Sequence, residues 1–181
     1  MSPSTLIAGT DSFKSACKDV RSELRQHGCW SDRLADISVR QTTVGLAYGW
    51  QYYRGCGDII IPKFSFIRLY HHCLGKVVPL RDVLRHEYGH AVADMHRNLV
   101  KGKGFRSAFG GAHDSEKWLE YDVDSYVSTY AASSICEDFA EVFMYYIKHK
   151  GRLPKVFTTP VITKKWKYIE TICQRLKEKK K

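Results

Sequence analysis

No apolar run in the chain approaches the roughly 18 residues that a membrane span needs. The opening residues, MSPSTLIAGTDSFK, have no basic leader before an apolar core and no cleavage site. The expected location is therefore the cytoplasm, or outside the cell by export without a classical signal peptide. None of the six cysteines (Cys17, Cys29, Cys56, Cys73, Cys136, Cys173) stands in a CxxC pair, which argues against a zinc ribbon or a redox dithiol. They read as mostly buried small apolar residues in a reducing compartment. Internal repeats and low-complexity linkers are missing too, and with aromatics at 13% the composition does not favour disorder outside the tail. One compact domain over residues 1–181 is expected, as a monomer.

Acidic charge is scarce at one end only. Residues 148–181 carry 12 basic and 2 acidic side chains, whereas residues 1–147 carry 17 of each, so the formal charge of +10 belongs to the C-terminal stretch. There Trp166 and Tyr168 interleave with Lys164, Lys165 and Lys167. That pattern suits either a solvated helix face with a basic tail or a contact for a polyanion such as nucleic acid.

Helical spacing of Phe13, Ala16, Cys17, Val20 and Leu24 predicts a helix over 11–27, ended by Gly28. Short β-rich runs at 36–41, 43–53 and 57–62 predict a small sheet. Residues 80–98, with Pro79 just ahead, read as the longest helix. The glycine-rich stretch 99–118 reads as a long loop or lid. A second amphipathic helix is expected over 134–150, opened by Ser134-x-x-Glu137 and stopped by Gly151. A last helix follows Pro160 and packs through Val161, Trp166, Ile169, Ile172 and Leu176. The sum is an α+β fold with a small twisted mixed sheet and a C-terminal helical part.

The chemistry concentrates in residues 86–90, His-Glu-Tyr-Gly-His, an H-E-x-x-H motif inside a predicted helix. Histidines at i and i+4 share a helix face, so both imidazoles can reach one Zn2+ ion while Glu87 reaches its water. A catalytic zinc takes a third protein ligand. His96 is one candidate, but a continuous helix turns it about 80° to 120° from the histidine pair. Glu137 is the stronger one. It stands four residues before Glu141 beside the apolar Phe139, Val142 and Phe143, and two carboxylates on such a face are costly unless a cation or donors meet them. Glu137 as ligand and Glu141 as acceptor for an imidazole N–H would use both. A helix cap at Glu137 with a solvated Glu141 is the alternative. Asp94 is either a further supporting group or a solvated acid. A separate site at His71-His72-Cys73 is disfavoured, because adjacent side chains of an extended segment diverge.

Tyr130 precedes Glu137 by seven residues, ahead of Glu-Asp-Phe-Ala-Glu. In these stretches, about 80–95 and 128–145, the sequence resembles the gluzincin zinc metallopeptidases, specifically the anthrax lethal factor catalytic domain and the Pro-Pro endopeptidases. The resemblance implies a zincin-like fold with His86, His90 and Glu137 as zinc ligands, Glu87 as general base and Tyr130 as oxyanion stabiliser. The implied activity is endopeptidase hydrolysis of a peptide or protein substrate by a zinc-activated water. In such folds the strand before the zinc helix pairs with extended substrate. Asp58 to Ile61 is therefore either that edge strand or a buried central one. Asp114, Glu116, Glu120, Asp122 and Asp124 would form an acidic rim favouring basic peptides. The competing readings are a nucleic-acid-associated zinc protease or binding module, and an inactive zincin acting as an interaction protein.

Overall fold

The structure is a computed structural model that describes residues 9–115 and 120–178. Glu116 of the expected acidic rim and the last three lysines lie outside them. Among the described residues no helix is long and apolar enough to cross a membrane.

Helix α1, Thr10–Gln26, buries Phe13, Ala16, Val20 and Leu24, the face expected from their spacing. Gly28 follows at φ +73°, and a Cβ there would sit 3.2 Å from the Cys173 carbonyl oxygen. Both the positive φ and the close approach require glycine. At that approach Cys29 and Cys173 form a disulfide across a sequence separation of 144. This corrects the view of the thiols as reduced apolar fillers. Of the rest, Cys17 and Cys136 are half-buried, and Cys56 and Cys73 are exposed.

After a short helix α2, Asp32–Ala35, come β1 (Ser38–Gly45), β2 (Gly49–Tyr53) and β3 (Cys56–Ser65). Their order is β1-β3-β2, with β1 parallel and β2 antiparallel to β3. The mixed α+β architecture is as expected, although a turn divides the run 43–53 between two strands. The Asp58–Ile61 segment is central, which accounts for the full burial of Ile59 and Ile61. Pro62 is tolerated in this strand because the β2 register ends at Ile60, and beyond it only β1 pairs.

The chain then enters helix α3, Phe66–Cys73, so His71, His72 and Cys73 are helical rather than extended. Its first turn is held by the Ile67 N–H donating to the Leu46 carbonyl at 3.0 Å. Helix α4, Leu80–Met95, is buried on nearly every side. It lies between α1, the sheet and α7, Ile135–Lys148. Gly89 permits the crossing with α7, since a Cβ there would lie 3.0 Å from Ala140 Cα. Helix α4 stops at Met95, and the segment expected as a loop holds α5 (Arg97–Val100) and α6 (Lys103–Phe109). Phe105, Ala108 and Phe109 give α6 a buried face, and the two rings stack at 4.7 Å. Packing of i, i+3, i+4 apolar residues overrides the low helix propensity of the surrounding glycines.

Helix α8, Pro160–Glu178, buries Ile162, Lys165, Trp166, Ile169, Ile172, Cys173 and Leu176, while Val161 is exposed. The interleaved aromatics are committed to the fold. Trp166 Nε1 donates to Gly151 O at 3.0 Å and the Tyr168 hydroxyl to Leu99 O at 2.6 Å. Lys165 is buried against Asp138 at 2.6 Å. A base-stacking surface along this helix is thereby removed, leaving Lys164 and Lys167 as exposed charges.

Candidate metal centre

One helical turn separates His86 and His90 on α4, and their rings meet edge to face with centroids 4.8 Å apart. Helix α7 brings Glu137 onto them. Ser134 caps α7 by accepting the Glu137 N–H at 3.2 Å, which fixes the first turn and leaves the Glu137 carboxylate free to face α4. Its Oε2 lies 3.0 Å from His86 Nε2 and 3.3 Å from His90 Nε2. Among the described residues this is the one group of three with metal-ligating atoms within reach of each other, all within 4.8 Å.

The rear sides of the imidazoles decide what the front sides offer. His86 Nδ1 lies 2.9 Å from Glu141 Oε1. Glu141 Oε2 accepts from the Ser128 hydroxyl at 2.7 Å, and Ser128 Oγ accepts the Ala131 N–H at 3.0 Å. An ionised carboxylate can only accept, so the proton belongs to Nδ1 and Nε2 of the neutral ring is a bare lone pair. His90 Nδ1 lies 3.2 Å from Cys136 Sγ, and the two Nε2 atoms are 3.0 Å apart. Glu137 Oε2 is buried and has no hydrogen bond. Three candidate ligand atoms thus converge on one point, an arrangement that a bound cation or imidazole protons can compensate. Two imidazoles and one carboxylate suit zinc.

In the absence of a cation, protons carry the compensation. Burial pushes His86 down, but the adjacent Glu137 carboxylate and the hydrogen bond with Glu141 override it and raise the imidazole to about 9. His90 is likewise raised, with Cys136 and Glu137 outweighing its burial. Burial raises Glu137, yet the two imidazoles hold it well below the usual carboxylate range. Burial also raises the Cys136 thiol, while the nearby His113 and His90 imidazoles bring it down to about 7.

Glu87 is nearly fully buried beside the cluster, and that burial raises its pKa. The backbone N–H of Trp50 on β2 donates to it. Tyr130 stands at the open side, half exposed, its ring centroid 5.7 Å from that of His86. Burial of its hydroxyl, with Glu137 and Glu87 nearby, raises its pKa, so it remains a proton donor.

Two expected residues lie elsewhere. Asp94 accepts from Trp50 Nε1 at 3.0 Å and from Arg97 at 3.3 Å, so it ties β2 to α4 instead of supporting an imidazole. His96 ends α4 and meets Ser31 Oγ at 2.7 Å, away from the cluster. Of the acidic rim, Asp114, Glu120, Asp122 and Asp124 are exposed, and Asp122 is occupied by a local turn with Ser125 and Asp124. Ser128, Cys136 and His113 were not marked by the sequence. Their roles depend on contacts across helices, and only the nearness of Ser128 to Tyr130 and of Cys136 to Glu137 hints at them. No family model, curated protein or solved structure matches the chain.

Proposed function

We propose that the protein is a zinc-dependent endopeptidase of zincin-like type, with His86, His90 and Glu137 holding the metal. The observation that carries this reading is the convergence of three half-buried ligand atoms on one point, with Glu87 beside them. A zinc ion bound there would supply Lewis acidity, polarising a water and the scissile carbonyl. Glu87 accepts the proton of the attacking water and delivers it to the leaving amine. Its raised pKa suits both halves of that exchange, because a carboxylate of higher proton affinity is a better base and recovers as a usable acid. The Trp50 N–H holds the carboxylate in place. Tyr130 donates its hydroxyl proton in a hydrogen bond to the carbonyl oxygen as negative charge builds there. Glu141 and Ser128 keep His86 turned with Nε2 forward. Of the two expected locations, the Cys29–Cys173 disulfide favours export to an oxidising environment.

The test is metal analysis of the purified protein together with cleavage of an unbiased peptide library, with and without chelator. Glu87→Gln should retain zinc and lose cleavage by about 10²–10⁴-fold, the usual range for a general base. Cleavage that survives either chelation or Glu87→Gln would remove the proposal. Tyr130→Phe should lower turnover with metal content unchanged.

A further inference from the structure

The two histidines of the centre are backed by unlike groups. Behind His86 stands a carboxylate, Glu141 at 2.9 Å, whereas behind His90 stands a sulfur, Cys136 Sγ at 3.2 Å. No other hydrogen bond to His90 Nδ1 occurs among the described residues. A neutral imidazole has one N–H, and holding it at Nδ1 is what leaves Nε2 free as a metal ligand. His90 presents Nε2 to His86 and Glu137, so its ring is already turned as that requirement demands.

Cys136 is itself held from behind. It lies in the first turn of α7, directly before Glu137, and is half-buried. The His113 imidazole lies near the same sulfur, and its ring is wedged against Phe105 and Phe139 with centroids 5.9 Å and 5.8 Å away. A chain of contacts therefore runs from the aromatic core under α6 through His113 and Cys136 to His90. It parallels the chain from Ala131 through Ser128 and Glu141 to His86.

We propose that Cys136 is the positioning residue of His90, its sulfur accepting the Nδ1 proton as Glu141 does for His86. The proposal rests on the zinc reading above, and it adds that one half of the centre is held by a modifiable sulfur. Partners of this kind typically change metal affinity by about 10–100-fold when removed.

The experiment uses the full chain. Zinc affinity is measured by competition with a chromophoric chelator for wild type, Cys136→Ala and Cys136→Ser, alongside the thermal midpoint of each metal-free form. Cys136→Ala should weaken zinc binding about 10–100-fold, Cys136→Ser should recover most of the loss because a hydroxyl still accepts, and the metal-free midpoints should coincide. Nitrogen NMR should show His90 as the Nδ1–H tautomer in zinc-loaded wild type and serine variant. Zinc binding by Cys136→Ala equal to wild type would overturn the inference and leave the centre standing. So would a serine variant as weak as alanine, or an alanine loss matched by a fall in the metal-free midpoint. Absence of zinc binding in wild type would instead remove the centre itself, and this inference with it.

Discussion

Glu137 and Asp138 are consecutive residues of α7, both buried to a large degree, and they sit in opposite electrostatic situations. Asp138, fully buried, faces α8 and meets Lys165 at 2.6 Å. That ammonium also donates to Ser125 O at 2.6 Å and lies 4.2 Å from the Tyr126 ring centroid. One buried anion meets one buried cation, although neither carboxylate oxygen of Asp138 makes a hydrogen bond of good geometry. Glu137 faces α4, where its Oε2 lies 3.0 Å and 3.3 Å from two imidazole nitrogens. The first arrangement carries its own fixed positive charge, and the second has only imidazoles to face its carboxylate. Neither burial of charge nor an orphaned carboxylate oxygen therefore separates the two sites; the presence of a built-in cation does.

The strongest way to break this comparison is to truncate both residues. Glu137→Ala should reduce zinc affinity by more than the roughly 10–100-fold typical of losing a supporting hydrogen bond, with little loss of metal-free stability. Asp138→Ala should do the reverse, destabilising by about 3–5 kcal/mol because Lys165 is left buried and unpaired, while the folded fraction binds zinc as before. Denaturant melts and chelator competition on the two variants read both quantities. A large stability loss in Glu137→Ala, or a zinc loss in a stable Asp138→Ala, would dissolve the distinction.

Gly89→Ala tests whether the front face depends on the spacing of α4 and α7. The added methyl would lie 3.0 Å from Ala140 Cα and 3.3 Å from the Phe143 ring. Overpacking of this kind costs about 1–3 kcal/mol. Because the displaced helix carries Glu137, zinc affinity should fall as well, with the Asp138–Lys165 pair intact. Retained wild-type stability and affinity would show that the close crossing is not needed.

A smaller effect separates the faces by pH. His86 is raised from 6.5 to about 9 without a metal. A raised imidazole stabilises the fold fully below the unfolded value and loses that contribution as pH climbs through the folded one. Asp138, raised by burial from 3.8 to about 6, contributes by the same sign but is spent above pH 6. Between pH 6.5 and 9 the two raised imidazoles should lower metal-free thermal stability, partly offset by the Cys136 thiol, which is lowered from 9.0 to about 7 and contributes the opposite slope. Zinc takes the deprotonated imidazole, so its stabilising increment should grow over the same interval. Thermal melts with chelator and with excess zinc would show the two curves diverging with pH, and parallel curves would contradict the assignment.

How much of this was legible in the sequence follows from the range of each interaction. His86, Glu87 and His90 are joined by one helical turn, and Glu137 and Glu141 by another, so spacing alone placed each set on a face. Ser134 as a cap was readable for the same reason. Lys165 was not, because its partner Asp138 lies 27 positions earlier on a different helix. The disulfide spans 144 positions and leaves no local mark. Asp94 failed as a supporting group because Trp50, distant in sequence, claims it. Helix α6 was hidden by glycines whose low propensity is outweighed by contacts with Phe139 and Tyr168. Helix-period chemistry is local and was recoverable; every partner that closes a valence across helices was not.

The smallest expected effect concerns the charge that dominates the composition. Leu176 is the last buried residue of α8, and among the described residues that a deletion of 177–181 removes, the Lys177 stem packs near Gly28; the deletion takes away four lysines. Surface changes of this kind usually move stability by no more than about 0.5 kcal/mol. The deletion should leave zinc affinity and peptide hydrolysis at wild-type values. If the tail contacts a polyanion, the slope of log affinity against log salt should shrink by roughly one for each lysine that touched a phosphate. Heparin or duplex DNA titrated at several salt concentrations would measure it. A loss of hydrolysis instead would tie the tail to the front face of α7, against the balanced charge of residues 1–147 that contain every proposed ligand.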